Sequence, residues 1–161
     1  MTDTASEAGA IEARLAELGL ALPAPAAPVA AYVPVVVAAG LAHVSGQLPF
    51  IDGKLVTGRL GEDVSVDQGT AAAQACGLMI LAQLKAALGS LDRVERVVKL
   101  GAFVNSTGAF TDQPKVANGA SELMAVVFGE AGKHARSAVG VPTLPLGAAV
   151  EVDAIVAVKP A

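Results

Sequence analysis

Ser65 to Gly89 read SVDQGTAAAQACGLMILAQLKAALG, and this run decides what the rest of the chain must pack against. Ser65 and Gln68 stand at capping-box spacing: a side-chain oxygen is followed three residues later by a glutamine that reaches back to it. No proline interrupts the run, alanine and leucine dominate it, and Gly89 stands after Leu88 as a stop. The reading is one long helix from Val66 to Leu88.

Working outward, the segments on both sides alternate between strand and helix patterns. Upstream, Ile11, Leu15 and Leu18 recur at helical spacing with Glu12, Arg14 and Glu17 on other faces, so a short amphipathic helix ends near Gly19. Residues 1–9 before it read as a loose tail. Pro23, Pro25, Pro28 and Pro34 then forbid a helix and predict an extended linker. Residues 1–27 thus form a tail, helix and proline-rich linker ahead of a main domain at 28–161. Val35 to Ala39 and Leu41 to Gln47 read as two strands turning at Gly40, and Asp52-Gly53 signals a hairpin.

Downstream, Ser90 to Glu95 make a short turn and Val97 to Asn105 a strand. Asp112 and Pro114 open a second helix that runs to about Phe128 and stops at Gly129. Two strands follow, near 136–141 and 149–158. In the last, Val150, Val152, Ala154, Val156 and Val158 face one way and Glu151, Asp153, Ile155 and Ala157 the other. The order is strand, strand, helix, strand, helix, strand, strand, with two helices to cover one sheet face. That is an α+β fold.

Composition narrows the function classes. At 53% hydrophobic residues and a mean hydropathy of +0.58, the chain is more apolar than a soluble monomer of 161 residues needs, which fits a further face hidden in an oligomer. The net charge is −4, no Lys or Arg cluster occurs, and aromatic residues make up 3%. Phosphate backbones reward clustered cations and single strands reward stacking platforms, so a nucleic-acid partner is not expected. Cys76, the only cysteine, lies in an apolar helical pattern and reads as a small buried hydrophobe. The N-terminus lacks the basic start and apolar run of a signal peptide, and the apolar stretches are broken by prolines, Gln74, Gln83 and Lys85. A soluble, cytoplasmic protein with no membrane partner is the expectation. His43 and His134 have no metal-ligand spacing with Cys76, and Gly58 to Gly61 is not followed by the Lys-Ser/Thr of a phosphate loop. His43 shares a strand face with Leu41 and Ser45 and reads as structural. His134 precedes Ala-Arg, in reach of a ligand or as a loop cap, and neither histidine is assigned a catalytic role.

The chemistry-bearing residues gather near the C-terminus: His134-Ala135-Arg136-Ser137-Ala138-Val139-Gly140-Val141, then Leu144-Pro145, then Val150-Glu151-Val152-Asp153. An arginine fork presents paired N–H donors in a plane that matches a small carboxylate. A nearby glutamate can orient or activate a water. Each residue also has a plainer reading: Arg136 as an interface ion pair, Glu151 as a solvated charge on a strand's polar face. Asp153, on the same face, is the weaker acid candidate.

Together with Val44-Ser45-Gly46-Gln47-Leu48-Pro49, these segments resemble the RidA family, also called YjgF or endoribonuclease L-PSP, over about residues 28–159. The resemblance implies a chorismate-mutase-like mixed sheet with two helices on one face, assembled as a homotrimer with ligand clefts between subunits. It implies hydrolysis of short 2-imino and 2-enamino acids to 2-keto acids and ammonia, without metal or organic cofactor. Arg136 of Ala135-Arg136-Ser137 would hold the substrate carboxylate. Glu151, fifteen residues on, would hold the hydrolytic water. Ala138 stands where many deaminating members carry a cysteine whose contribution comes from the backbone. Tyr32 would line the cleft, Ser45 and Gly46 would shape its floor, and Asn118 aligns with a family asparagine once one inserted residue is allowed. Three alternatives remain open at this point: a non-catalytic protein that binds small carboxylates in the same cleft; an endoribonuclease or translation inhibitor, which the acidic composition disfavours; and a related hydrolase acting on larger enamines, which the sequence does not separate from the first reading.

Overall fold

The capping box at Ser65 forms in both directions: its hydroxyl accepts the Gln68 N–H at 3.1 Å, and the Gln68 side chain accepts the Ser65 N–H at 2.9 Å. The helix it opens, α2 (Val66–Leu88), ends on Gly89 at φ 85°, a conformation that costs a side-chain-bearing residue strain. In this computed structural model, residues 9–28 and 31–161 are described. The remaining elements are α1 (Ala10–Glu17), β1 (Val35–Ala38), β2 (Leu41–Gln47), β3 (Phe50–Ile51), β4 (Lys54–Leu55), β5 (Val94–Asn105), α3 (Gln113–Phe128), β6 (Ala135–Val141) and β7 (Val150–Val158).

Five strands form one mixed sheet in the order β1-β2-β7-β5-β6, while β3 and β4 pair as a separate hairpin through Asp52 (φ 51°) and Gly53 (φ 76°). Only the β5–β6 pair is parallel, and α3 makes the crossover between them. The fold is of the α+β class expected from the element order, with the chorismate-mutase-like mixed sheet that the family resemblance implies. β5 starts at Val94 rather than Val97, because the preceding 3₁₀ turn occupies only Leu91–Arg93.

Alternation in β7 sets the layers. Val150, Val152, Ala154, Val156 and Val158 are buried under α2 and α3, with Leu100, Ala102 and Val104 of β5 beside them. The two helices cross tightly because Gly119 of α3 lies against the Thr70 carbonyl of α2, where a Cβ would collide. Cys76 is fully buried, and its thiol donates to the Val150 carbonyl at 3.7 Å. One helix, α2, has the length and hydropathy of a membrane span, but 67% of that window is buried in the core.

From residue 9 the N-terminal segment is packed. Leu15 is 3% exposed within the core, and Gln83 of α2 donates to the Ala26 carbonyl at 2.8 Å. Gly9 has no side chain to cap α1. The Asp92 carboxylate does so instead, accepting the Ala10 and Ile11 N–H groups at 2.9 Å each. These two N–H donors hold the Asp92 carboxyl below its ordinary range. Residues 1–8, most of the expected tail, lie outside the described residues.

Candidate functional site

Arg136 sits on β6, an outer strand of the sheet, in register with Leu100 of β5. Leu100 points into the helix-covered core, so the Arg136 side chain leaves the sheet on the same side and meets α3. There its Nη1 donates to Asn118 Oδ1 at 2.8 Å and to Ser121 Oγ at 3.1 Å. Asn118 and Ser121 are three residues apart on one helix, the spacing that puts two side chains on one face. Both hydrogens of Nη1 are thereby used. The Nε–Nη2 edge, the edge that grips a carboxylate in bidentate fashion, has no protein acceptor among the described residues. The ion pairs found there join Arg14 to Glu17, Lys115 to Asp112 and Lys133 to Glu130, and none involves Arg136. A half-buried guanidinium with an open fork is thus held rigidly by neutral partners, beside a cavity of about 300 Å³ lined by Ser121, Ala125, Gly132, Lys133, His134 and Arg136.

His134, read from the sequence as in reach of a ligand or as a loop cap, belongs to the same cluster. Its Nδ1 lies 2.6 Å from the Gly132 carbonyl and its Nε2 lies 2.9 Å from Ser121 Oγ. Gly132 can take its place because it lies against the Met124 carbonyl, where a Cβ would collide. Ser121 drew no attention in the sequence. The one available signal was its position three residues after Asn118 on the same helical face.

Glu151 occupies the opposite side of the sheet. It registers with Phe103, and Phe103 with Val139, whereas Arg136 registers with Leu100, so odd parity separates the two functional candidates. Within one protomer they cannot grip the same small molecule, so the expected Arg136-held substrate beside a Glu151-held water would need the cleft between subunits that the resemblance implies. On its own side Glu151 presses against Gly46, whose absent Cβ leaves room for the carboxylate. Ser45 and Gly46 together face the single residue Asp153 in a bulge between Val44 and Gln47, which re-aims the strand there. Loss of solvent raises the Glu151 carboxyl above its ordinary range, and the neighbouring Asp153 charge raises it further. Burial lifts Asp153 as well, against the opposing pull of the Gly101 N–H and Lys99.

The remaining candidates divide between the two sides. Ala138 registers with buried Ala102 and packs on the core, on the Arg136 side. The Ser45 hydroxyl donates to the Val33 carbonyl at 3.1 Å and so serves the backbone. Tyr32 is 45% exposed in the bend before β1 and does not line the Arg136 cavity. His43 is exposed on the uncovered face and packs in no core. Among the described residues, no three His, Cys, Asp or Glu side chains gather in a way that could hold a metal ion. A larger cavity of about 630 Å³ lies between the 21–26 segment, the β3–β4 hairpin and α2, with Asp52 and Gln74 its only polar side chains.

With this geometry in view, the comparisons with known proteins are specific. Residues 12–157 match the family described as "YjgF/chorismate_mutase-like, putative endoribonuclease". The chain is 57% identical over 150 residues to protein TCP17 of Trypanosoma cruzi, covering 92% of this chain and 94% of that one. The crystal structure of Atu1372 from Agrobacterium tumefaciens, a protein with unknown function, shares 51% identity over 92% of each chain at a TM-score of 0.86. A structure from Shewanella oneidensis, titled a "putative endoribonuclease", is 36% identical over 93% of this chain and 100% of that one, at a TM-score of 0.90. The chain belongs to the YjgF/chorismate mutase-like family, whose solved members include proteins named RidA and endoribonuclease L-PSP.

Proposed function

We propose that the protein hydrolyses short 2-imino and 2-enamino acids to 2-keto acids and ammonia, as a cytoplasmic enzyme that needs no organic cofactor. The observation that carries this reading is the open Nε–Nη2 edge of Arg136, anchored by Asn118 and Ser121 with no carboxylate paired to it among the described residues. A desolvated guanidinium without a partner invites a small carboxylate. Such imines already lose ammonia in free water, so holding one beside an oriented water supplies what the reaction needs. In this reading the working cleft lies between copies of the chain, most simply in a homotrimer, where the uncovered sheet face of one protomer brings Glu151 towards Arg136 of the next. Backbone groups around Ala138 then meet the imine nitrogen.

The test generates 2-iminobutanoate in situ and follows keto-acid release. Wild type is expected to accelerate release, and Arg136→Ala to lose about a hundredfold in kcat/KM, the worth of two charge-assisted hydrogen bonds. Equal release by both proteins removes the reading. A second reading, a carboxylate-binding protein without catalysis, is favoured by the separation of Arg136 and Glu151 onto opposite faces. It predicts Arg136-dependent binding of 2-oxobutanoate with no acceleration of imine loss. A ribonuclease, the activity in some relatives' names, finds no support in a chain of net charge −4.

A further inference from the structure

We infer that Ser121 and His134 form a proton relay serving the ligand held by Arg136, an inference that rests on the imine-hydrolase reading and names the group that moves its protons. The donor pattern is fixed by chemistry. The Gly132 carbonyl can only accept, so the proton of the neutral imidazole sits on Nδ1 and points at it, 2.6 Å away. Nε2 is then bare, and at 2.9 Å it accepts the Ser121 hydroxyl proton. The Ser121 oxygen accepts one hydrogen bond from Arg136 Nη1 at 3.1 Å. A hydroxyl oxygen has two lone pairs, so one remains, and Ser121, His134 and Arg136 all line the same cavity of about 300 Å³. Nucleophile-side hydroxyl, base and orienting carbonyl stand in the order a relay requires. Glu151 cannot do this task for its own protomer's Arg136, because the sheet lies between them.

The step balances. Water adds to the imine carbon and gives its proton to Ser121 Oγ, while the Ser121 proton passes to His134 Nε2. The imidazolium returns that proton through the same hydroxyl to the nitrogen of the carbinolamine. The carbinol O–H proton then follows the same path through Ser121 and His134 to the NH2 nitrogen as the carbon–nitrogen bond breaks, so that ammonia leaves and the carbinol carbon–oxygen bond becomes the keto C=O. Ser121 touches the reactants. His134 acts through it and is a positioning residue. The charged groups around the imidazole are Arg136 on β6, Lys133 beside it with Glu130 paired at 2.7 Å, and Arg96 of β5, which donates to the Lys133 carbonyl.

The experiment is a kcat and KM series at several pH values on 2-iminobutanoate. His134→Gln is expected to lose about a hundredfold in kcat with KM nearly unchanged, Ser121→Ala to lose as much in kcat and also to raise KM because it removes an anchor of Arg136, and Ser121→Thr to keep most of the rate. The acid limb of the wild-type pH–rate profile is expected to vanish in His134→Gln and to persist in Glu151→Gln. Wild-type kcat and acid limb in a folded His134→Gln would overturn the relay while leaving the hydrolase reading intact. Should His134→Gln not fold, the two Ser121 variants carry the same test. Should wild type itself leave imine loss unaccelerated, the hydrolase reading fails, and imidazole ¹⁵N NMR decides the relay. A His134 with its proton on Nδ1, whose Nε2 resonance moves on adding 2-oxobutanoate in wild type and not in Ser121→Ala, supports it. A proton on Nε2, or an unmoved resonance, overturns it.

Discussion

The two faces of the five-stranded sheet carry opposite chemistry. On the covered face, α2 and α3 press an aliphatic layer onto β5 and β7, and at its border a single cation, Arg136, is fixed by neutral side chains. On the uncovered face, burial raises the carboxyls of Glu151 and Asp153 above the ordinary range, and the Asp153 charge raises Glu151 further, next to a glycine that gives Glu151 room. The covered face is rigid and gains from what it excludes. The uncovered face is half-desolvated, with charges that gain stability only when something neutralises or spans them. The cation and the two acids are therefore separated by the thickness of one sheet, and within one protomer Glu151 and Arg136 do not meet.

The most forceful way to break this contrast is to pry the covered face open. Gly119→Ala places a methyl group against the Thr70 carbonyl of the facing helix, which is backbone and cannot step aside. The expected loss is about 3 kcal/mol, the upper range of overpacking, read as a lowered urea midpoint. A fall below about 0.5 kcal/mol would mean the helices are not locked as described. A finer test leaves the fold alone. Asn118→Ala removes one acceptor of Arg136 Nη1 and frees the fork to rotate. Binding of 2-oxobutanoate, measured by calorimetry, should weaken about tenfold, the worth of roughly 1.4 kcal/mol.

The smallest effect lies on the other face, and its sign depends on pH. Because Glu151 binds its proton more tightly in the fold than in the unfolded chain, its charge costs stability. Stability is full below the ordinary glutamate value of about 4.3 and is lost as pH rises through the raised folded value. Glu151→Gln is therefore expected to melt slightly higher than wild type at pH 7, and the difference to close near pH 4. A variant that melts lower at pH 7 would place Glu151 in a favourable contact instead.

Local rules wrote most of the scaffold legibly. The capping box at Ser65, the stop at Gly89, the Asp52-Gly53 turn and the alternation of β7 each have a short-range cause, and each appears where the sequence puts it. The α+β class and the covering of one face by two helices followed from them. The geometry of the candidate site did not follow, for a physical reason. Whether two residues on different strands share a face depends on pairing register, and the fifteen residues from Arg136 to Glu151 cross a turn whose geometry no motif fixes. β6 compounds the problem: Ala135-Arg136-Ser137-Ala138 is an edge segment without apolar alternation, so nothing in it declares which side is inward. Ser121 and His134 meet only because α3 crosses back over the end of β6, a tertiary event without local signature.

The solitary thiol offers an unplanned reporter. Cys76 sits on the buried face of α2, its hydrogen given to the Val150 carbonyl, and desolvation holds its pKa well above the usual thiol value. An alkylating reagent can reach it only after the long helix lifts from the strand beneath. Its labelling rate therefore clocks the opening of the molecule's centre, with no engineered probe required.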